Sequence, residues 1–267
     1  MSYPYRRRHR QGNGALLVIL LAVFVAARTC DRPKSRSSSS RVSTPVENPI
    51  QDVLKPTQKE YKPGVAAAIL IDTSGSMNER VRDSDGAMRP KIDIAQRSAL
   101  DIVKQFDAYA REHTGQEIQL GIYEFSDRGA VPFCRPVVKL GVPNPEASRT
   151  AIFKMKASGD TPIGDAMIVA KRALDAAGLS KRHILVITDG ENTKGYSPAD
   201  VTQVISNQSE TDRASIYFVA FDVAAAKFNS VKDSGGLVLA ASNETELKGT
   251  LDYLLTGKIL AEQPANR

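Results

Sequence analysis

The sequence predicts an α/β domain whose mostly parallel sheet is covered by helices on both faces. Apolar runs recur from Val65 onward, and several are continuous rather than alternating, as in strands that are buried on both faces. Between these runs apolar residues return at helical spacing, for example at Ala95, Ala99 and Ile102. Strands that alternate with helices along a chain are typical of a parallel sheet between two helical layers.

Six apolar runs are the candidate strands, at residues 65–71, 118–125, 130–140, 183–188, 215–221 and 236–240. The longest helical patterns fall between them, at 95–110 and 163–177. Ser197 followed by Pro198, and Asn243 followed three residues later by Glu246, are signals for the start of two further helices.

Residues 1–30 combine a basic N-terminus with an apolar segment. RRRHR precedes the uncharged stretch ALLVILLAVFVAA at 15–27, a pattern typical of a secretory signal or an N-terminal anchor. The stretch is shorter than the roughly 20 residues of a full membrane span, so a retained anchor and a cleaved signal both stay open. The positive cluster precedes the apolar run, so we expect the remaining chain outside the cytoplasm. With a retained anchor, the protein would be a single-pass protein of the inner or plasma membrane. With a cleaved signal, it would be secreted or periplasmic.

Residues 31–63 are predicted to be a disordered linker, because they contain RSSSSR, five prolines and few apolar side chains. The folded domain is predicted at 64–261, with a short tail at 262–267. Up to residue 45 nine Lys or Arg face the single acid Asp31, although the whole chain carries only +6. The domain itself is therefore mildly acidic, which argues against nucleic acid as a partner.

The domain has one cysteine, Cys134, which cannot form an internal disulfide and is expected to be a small buried residue. His113 and His183 are far apart in sequence and show no metal-ligand spacing. We expect both histidines at the surface or at an edge of the fold.

Three polar motifs lie at predicted element ends. DTSGS at 72–76 follows the first run directly, GDTP at 159–162 opens a helix, and DG at 189–190 closes the fourth run. Taken singly, each motif fits a turn or a helix cap. Together they point to one site, because ligands of parallel α/β sheets bind at the carboxyl ends of the strands.

The motifs supply two carboxylates and three hydroxyls, from Asp72, Ser74, Ser76, Thr161 and Asp189. Such hard oxygen donors suit Mg²⁺, Mn²⁺ or Ca²⁺ rather than zinc or copper. Two carboxylates balance a divalent cation, and neutral hydroxyls leave it electrophilic. The set therefore predicts a metal with an open position for an external carboxylate.

The order and spacing of these motifs resemble the metal-ion-dependent adhesion site (MIDAS) of von Willebrand factor A-type (vWA) domains, over about residues 64–260. The form DTSGSM at 72–77 resembles bacterial members, and EFSD at 124–127 matches the family's second strand and its exit. The resemblance implies a Rossmann-like, doubly wound, six-stranded sheet with one antiparallel edge strand. It also implies direct coordination by Ser74 and Ser76, with the other three residues acting directly or through water.

The function that the resemblance implies is metal-dependent binding of a protein that exposes an Asp or Glu. Asp160, Glu191 and Asn192 lie close to the motifs and are candidates for a rim that contacts this partner. No cysteine or histidine is placed to suggest a nucleophile and base, so we predict no catalytic residues and no enzyme. The alternatives are a metal-dependent hydrolase, of phosphatase or protease type, and an assembly scaffold with an incidental metal.

We expect the full chain to fractionate with membranes, because the basic cluster and the apolar segment 15–27 form an export signal. Protease added from outside should then digest the chain beyond about residue 30. Cell fractionation followed by immunoblotting measures both results. A soluble, full-length cytoplasmic protein would contradict the expectation.

Overall fold

The structure is a computed structural model that describes residues 49–56, 60–129 and 133–262. The apolar segment 15–27, the predicted linker up to residue 48 and the last five residues of the predicted tail lie outside this part of the chain. Within the described ranges, no helix has both the length and the apolar character needed to cross a membrane.

The strands of the described residues are β1 Lys62–Asp72, β2 Arg80–Arg82, β3 Met88–Pro90, β4 Glu117–Phe125, β5 Cys134–Gly141, β6 Leu179–Thr188, β7 Ser215–Phe221 and β8 Leu237–Ala241. The α-helices are α1 Pro49–Val53, α2 Lys91–Glu112, α3 Pro145–Ile152, α4 Ile163–Ala177, α5 Pro198–Ser206, α6 Asn229–Asp233 and α7 Glu244–Leu254. Short 3₁₀ turns at Gly75–Asn78 and Ala225–Phe228 and a π-helical turn at Leu255–Ile259 complete the described elements.

Six strands form one sheet in the order β5-β4-β1-β6-β7-β8, while β2 and β3 form a separate antiparallel hairpin. All neighbours in the large sheet are parallel except β4 and β5, so β5 is an antiparallel edge strand. The predicted six-stranded, mostly parallel sheet with helices on both faces is confirmed.

Strand β1 lies at the centre and separates two apolar clusters. Its side chains alternate between them, with Val65, Ala67 and Ile69 in the cluster under α2 and α7. Ala66 and Ala68 belong to the cluster under α4 and α5. The chain leaves β1 toward α2 on one face and leaves β6, its neighbour, toward α5 on the other. Such divergent exits open a crevice at the carboxyl ends of the two strands.

Strand β6 begins earlier than the apolar run 183–188 indicates, because polar residues at its start belong to the sheet. His183 consequently lies inside the strand and is fully buried, so the prediction that it is a surface or edge residue is wrong. Burial lowers the pKa of His183 to about 4, which keeps the imidazole neutral at pH 7. Cys134 is buried as expected, and burial raises the pKa of its thiol to about 12.

The C-terminal part of the predicted linker 31–63 is ordered where it meets the domain. Helix α1, Pro49–Val53, buries Ile50 and Leu54, which are 3% and 1% exposed. The Nε2 of Gln208, beyond the end of α5, donates to the carbonyl of Leu54 at 2.8 Å. Two apolar residues four positions apart give too short a pattern to distinguish this helix from a linker.

A buried ion cluster joins the end of α4 to β6. Both carboxylate oxygens of Asp175 lie 2.6 Å from the Nζ of Lys171, and Oδ1 lies 3.2 Å from a guanidinium nitrogen of Arg182. All three side chains are buried. Asp175 is thus the counter-ion of two cations that water does not reach.

Asp175→Ala should lower the free energy of unfolding by about 3–5 kcal/mol, because it leaves buried cations without a counter-charge. Asp107→Ala is the matched control: it also removes an aspartate four positions from a basic residue on a helix, but its partner Arg111 is exposed. The control should cost less than about 1 kcal/mol. Urea denaturation of both variants measures the difference, and equal losses would contradict the assignment.

Candidate metal-binding site at the carboxyl edge of the sheet

Asp72 ends the central strand β1 and is fully buried. Its Oδ1 accepts a hydrogen bond from the backbone N–H of Ser74 at 2.7 Å. Its Oδ2 accepts one from the hydroxyl of Thr188, the last residue of β6, at 2.6 Å. Both donors are neutral, and burial raises the pKa of Asp72 to about 6 although these hydrogen bonds lower it. The carboxylate is fixed in position, but nothing described beside it offsets its charge.

Ser74, Ser76 and Asp189 form a continuous line of oxygens next to Asp72. The hydroxyls of Ser74 and Ser76 lie 3.1 Å apart, and the hydroxyl of Ser76 donates to Oδ1 of Asp189 at 2.7 Å. Asp189 directly follows β6 and Ser74 directly precedes the 3₁₀ turn after β1. Four of the five residues predicted from the sequence are therefore linked by hydrogen bonds at the two neighbouring strand ends.

The loop that carries Thr161 is held against the loop after β1 by backbone hydrogen bonds. The N–H of Gly75 donates to the carbonyl of Gly159 at 2.9 Å, and the N–H of Ser158 donates to the carbonyl of Thr73 at 2.8 Å. Gly159 has φ +88°, and a Cβ there would lie 2.1 Å from the carbonyl oxygen of Asp127. A glycine is thus required at this crossing, two residues before Thr161.

Thr161 is buried, and its side chain is not the cap of the helix that follows. The first N–H groups of α4, from Ile163 and Gly164, instead point at Oδ1 of Asn192, at 2.7 and 3.4 Å. Thr161 contacts Thr193 through its backbone, with its N–H donating to the Thr193 hydroxyl at 2.8 Å. Within the described part of the chain its hydroxyl does not hydrogen-bond to the other four predicted residues. The capping function of Asn192 leaves the Thr161 hydroxyl available for another ligand.

Lys91 is a member of the site that sequence reasoning missed. Its Nζ lies 3.0 Å from Oδ2 of Asp189, 2.9 Å from Glu79 and 3.0 Å from Asp222, and the residue is 3% exposed. Burial would lower the pKa of Lys91, but the three carboxylates outweigh it and raise this pKa above its usual value. One signal was present: Lys91 begins a helix, where the helix dipole disfavours a cation unless acids compensate it.

Asp222 also belongs to this edge and was not predicted. It follows β7 and has φ 54°, and no other residue besides glycine in the described ranges has a positive φ. Its N–H donates to the carbonyl of Ala241 at 2.7 Å, which holds this backbone in place. Backbone strain of this kind costs about 1–3 kcal/mol and is concentrated at functional sites.

The three predicted rim residues differ in their surroundings. Asp160 is exposed and lies 3.3 Å from the ammonium of Lys194, and Glu191 is exposed and lies 3.0 Å from that of Lys227. Asn192 is half-buried and caps α4. The two carboxylates are thus accessible to a partner, while the amide has a structural contact of its own.

The donor set determines which metal could bind. Among the described residues, no three His, Cys, Asp or Glu side chains are grouped so that they could hold a metal by themselves. A cation here would depend on the hydroxyls of Ser74, Ser76 and Thr161 in addition to two carboxylates. All of these donors are oxygens, which fits a hard divalent cation such as Mg²⁺ or Mn²⁺.

Solved structures with the same fold come from several sources. A von Willebrand factor type A protein from Catenulispora acidiphila is 19% identical, with a TM-score of 0.56 over 75% of this chain and 44% of that one. The conserved hypothetical protein BatB from Bacteroides thetaiotaomicron is 15% identical, with a TM-score of 0.53 over 73% of this chain and 98% of that one. At these identities the likeness shows the fold alone.

A third similar structure is the PilB minor pilin from Streptococcus sanguinis, which is 13% identical with a TM-score of 0.54. The alignment covers 74% of this chain and 62% of the pilin, so this chain spans less than two thirds of that protein. No curated protein matches the sequence. The model of one family does match, over residues 67–191, and its description is von Willebrand factor type A domain. Residues 67–191 are thus similar in sequence to a vWA domain, and the fold of the described residues agrees with this match.

Proposed function

We propose that the vWA domain captures a protein partner through a divalent cation, Mg²⁺ or Mn²⁺, and that an aspartate or glutamate of the partner completes the coordination. The cation would be held by Asp72, Ser74, Ser76, Thr161 and Asp189. The observation that carries the proposal is the Asp72 carboxylate, which is fully buried and has only neutral hydrogen-bond donors. A buried charge is costly unless a counter-charge compensates it.

The oxygens around Asp72 favour a bound cation that remains reactive. Ser74 and Ser76 present neighbouring hydroxyls, and Ser76 connects them to Asp189. Neutral oxygens contribute lone pairs without cancelling the charge of the metal. A cation with two carboxylates and three hydroxyls therefore keeps affinity for one more anionic oxygen, which an external carboxylate supplies.

The surface around the site supports an acidic partner. Lys194 and Lys227 are half exposed beside the rim and are paired there with Asp160 and Glu191. Partner carboxylates can replace these pairings, and exposed charges of this kind mainly raise the rate of association. The similar structures include a minor pilin, and we infer that this chain binds a protein. It would do so outside the cytoplasm, held by segment 15–27 or released after its cleavage.

We propose binding rather than catalysis. The Cys134 thiol, whose pKa burial raises to about 12, is not a nucleophile near neutral pH. The His183 ring, whose pKa burial lowers to about 4, lies within β6 and not at its carboxyl end. Neither group is hydrogen-bonded to Asp72, so we do not assign the thiol or the imidazole as a nucleophile or base at this carboxylate.

Asp72→Asn should lower the affinity for Mg²⁺ and Mn²⁺ at least about 100-fold, because it removes one of two ligand charges and keeps the shape of the side chain. Thr161→Val should weaken binding with a stability change of about 1 kcal/mol or less, since Asn192 supplies the helix cap. Titration calorimetry and thermal melting measure both effects. Asp101→Ala, an exposed change on α2, is the control and should bind metal as the wild type does. Unchanged metal binding by Asp72→Asn would refute the site.

The same variants test the partner. In Mg²⁺, the wild-type chain should retain its partner from an extract of surface proteins. The wild type in a chelator and the Asp72→Asn variant in Mg²⁺ should both fail to retain it. Blocking the carboxylates of the extract with a carbodiimide should abolish capture by the wild type. Capture that survives both the chelator and the blocking reagent would show that another surface binds the partner.

The raised pKa of Asp72, about 6, predicts two pH effects. Without metal, the folded state binds more protons than the unfolded state between pH 4 and 6. The free energy of unfolding should therefore decrease as the pH rises through this window, by roughly 2–3 kcal/mol in total. Metal needs the ionised carboxylate, so Mg²⁺ affinity should fall about tenfold per pH unit below about 6. Denaturation and calorimetry from pH 4 to 8 measure these effects. If Asp72→Asn shows the wild-type profile of stability against pH, Asp72 is not the group responsible.

A further inference from the structure

We propose that Lys91 sets the metal selectivity of this site and favours Mg²⁺ or Mn²⁺ over Ca²⁺. Its ammonium binds Oδ2 of Asp189 and also contacts Glu79 and Asp222, so that this oxygen is not available to the metal. The inference rests on the proposed cation site and adds a positioning residue that lies outside the five ligands. No sequence motif indicates it, because the four residues come from four separate segments of the chain.

The ammonium of Lys91 is held from three directions. Its Nζ lies 2.9 Å from Oε2 of Glu79, 3.0 Å from Oδ2 of Asp189 and 3.0 Å from Oδ2 of Asp222. Its own backbone is fixed by a hydrogen bond from its N–H to the carbonyl of Glu79 at 2.8 Å. The backbone of Asp222, which has a positive φ, is fixed by the hydrogen bond from its N–H to the carbonyl of Ala241. The contacts to Glu79 and Asp189 are hydrogen bonds, and the contact to Asp222 is an ion pair.

This arrangement divides the two oxygens of Asp189 between different tasks. Oδ1 accepts from the hydroxyl of Ser76 at 2.7 Å and faces the proposed ligands, while Oδ2 accepts from Lys91 at 3.0 Å. A cation at the site is thereby offered one oxygen of this carboxylate and not both. Mg²⁺ takes six oxygens in an octahedron, whereas Ca²⁺ takes six to eight and readily binds carboxylates through both oxygens. A carboxylate restricted to one oxygen therefore favours the smaller ion.

The charge balance points in the same direction. Without the ammonium, Asp189, Glu79 and Asp222 would surround one position, each with an oxygen about 3 Å from it. Their charges would then be uncompensated, and Oδ2 of Asp189 would be free to join Oδ1 as a ligand of the proposed cation, the two-oxygen mode that Ca²⁺ readily accepts. Lys91 is thus a fixed internal cation that offsets part of this charge and keeps Oδ2 of Asp189 away from the proposed cation. An ion pair with a purely structural role would not change the preference between two divalent ions.

The test compares the affinities of the full chain for Mg²⁺, Mn²⁺ and Ca²⁺ by titration calorimetry, for the wild type and Lys91→Met. The variant should raise the ratio of Ca²⁺ to Mg²⁺ affinity about tenfold, because it frees Oδ2 of Asp189 and removes one positive charge. Lys91→Arg keeps the charge and should stay within about threefold of the wild-type ratio. Lys104→Met, which removes a lysine from an exposed ion pair of the same helix, is the matched control and should leave the ratio unchanged.

The outcomes separate this inference from the proposed function. If neither the wild type nor Asp72→Asn binds metal, the proposed site fails and the inference with it. If the wild type binds but Lys91→Met keeps the ratio within about threefold of the wild-type value, the site stands and the selectivity role of Lys91 is refuted. Where the variant is too unstable for calorimetry, melting temperatures decide: a larger rise in Ca²⁺ than in Mg²⁺ supports the role, and equal rises refute it. Adding Asp222→Asn to Lys91→Met should remove part of the calcium gain.

Discussion

The burial of the Asp72 carboxylate at the end of the central strand is the constraint on which the arrangement of the site depends. Strand β1 is paired on both sides and covered on both faces, so a carboxylate at its end has no access to water. A backbone N–H and the hydroxyl of Thr188 offset part of the cost of this burial. A bound cation would offset the remaining cost of burying the carboxylate. A buried acid with a perturbed pKa is for this reason a candidate functional residue.

The two acids of the site are in different electrostatic surroundings. Asp72 faces neutral donors alone, while Asp189 is bound on one side by a hydroxyl and on the other by the ammonium of Lys91. One carboxylate is therefore ready to gain a positive partner, and the other already shares one with Glu79 and Asp222. The crevice between β1 and β6 thus has one acid without a cationic partner, where the proposed metal would bind, and one acid whose charge Lys91 partly offsets.

The sequence predicts the elements and residues whose signals lie within a few neighbouring positions, and it does not predict contacts between distant positions. Strand β7 was predicted with its observed bounds, since 215–221 is a continuous apolar run, and the motif after β1 is contiguous. The start of β6 was missed because the residues SKR at 180–182 are polar, although the pairing with β1 buries Arg182. Lys91, Asp222 and the cap supplied by Asn192 were missed for another reason. Their partners lie from 12 to more than 100 positions away, and only the folded chain brings them together.

The position of the site relative to strand β1 also has a mechanical consequence. The chain enters the sheet at the amino end of β1, and the candidate site lies at the carboxyl end of the same strand. Tension between a partner on the site and whatever holds the preceding segment would run along the length of this strand. Its hydrogen bonds to β4 and β6 would then be loaded in shear, all at once, rather than opened one after another. Strand β1 would thus be a stiff connection between the preceding segment and the candidate site.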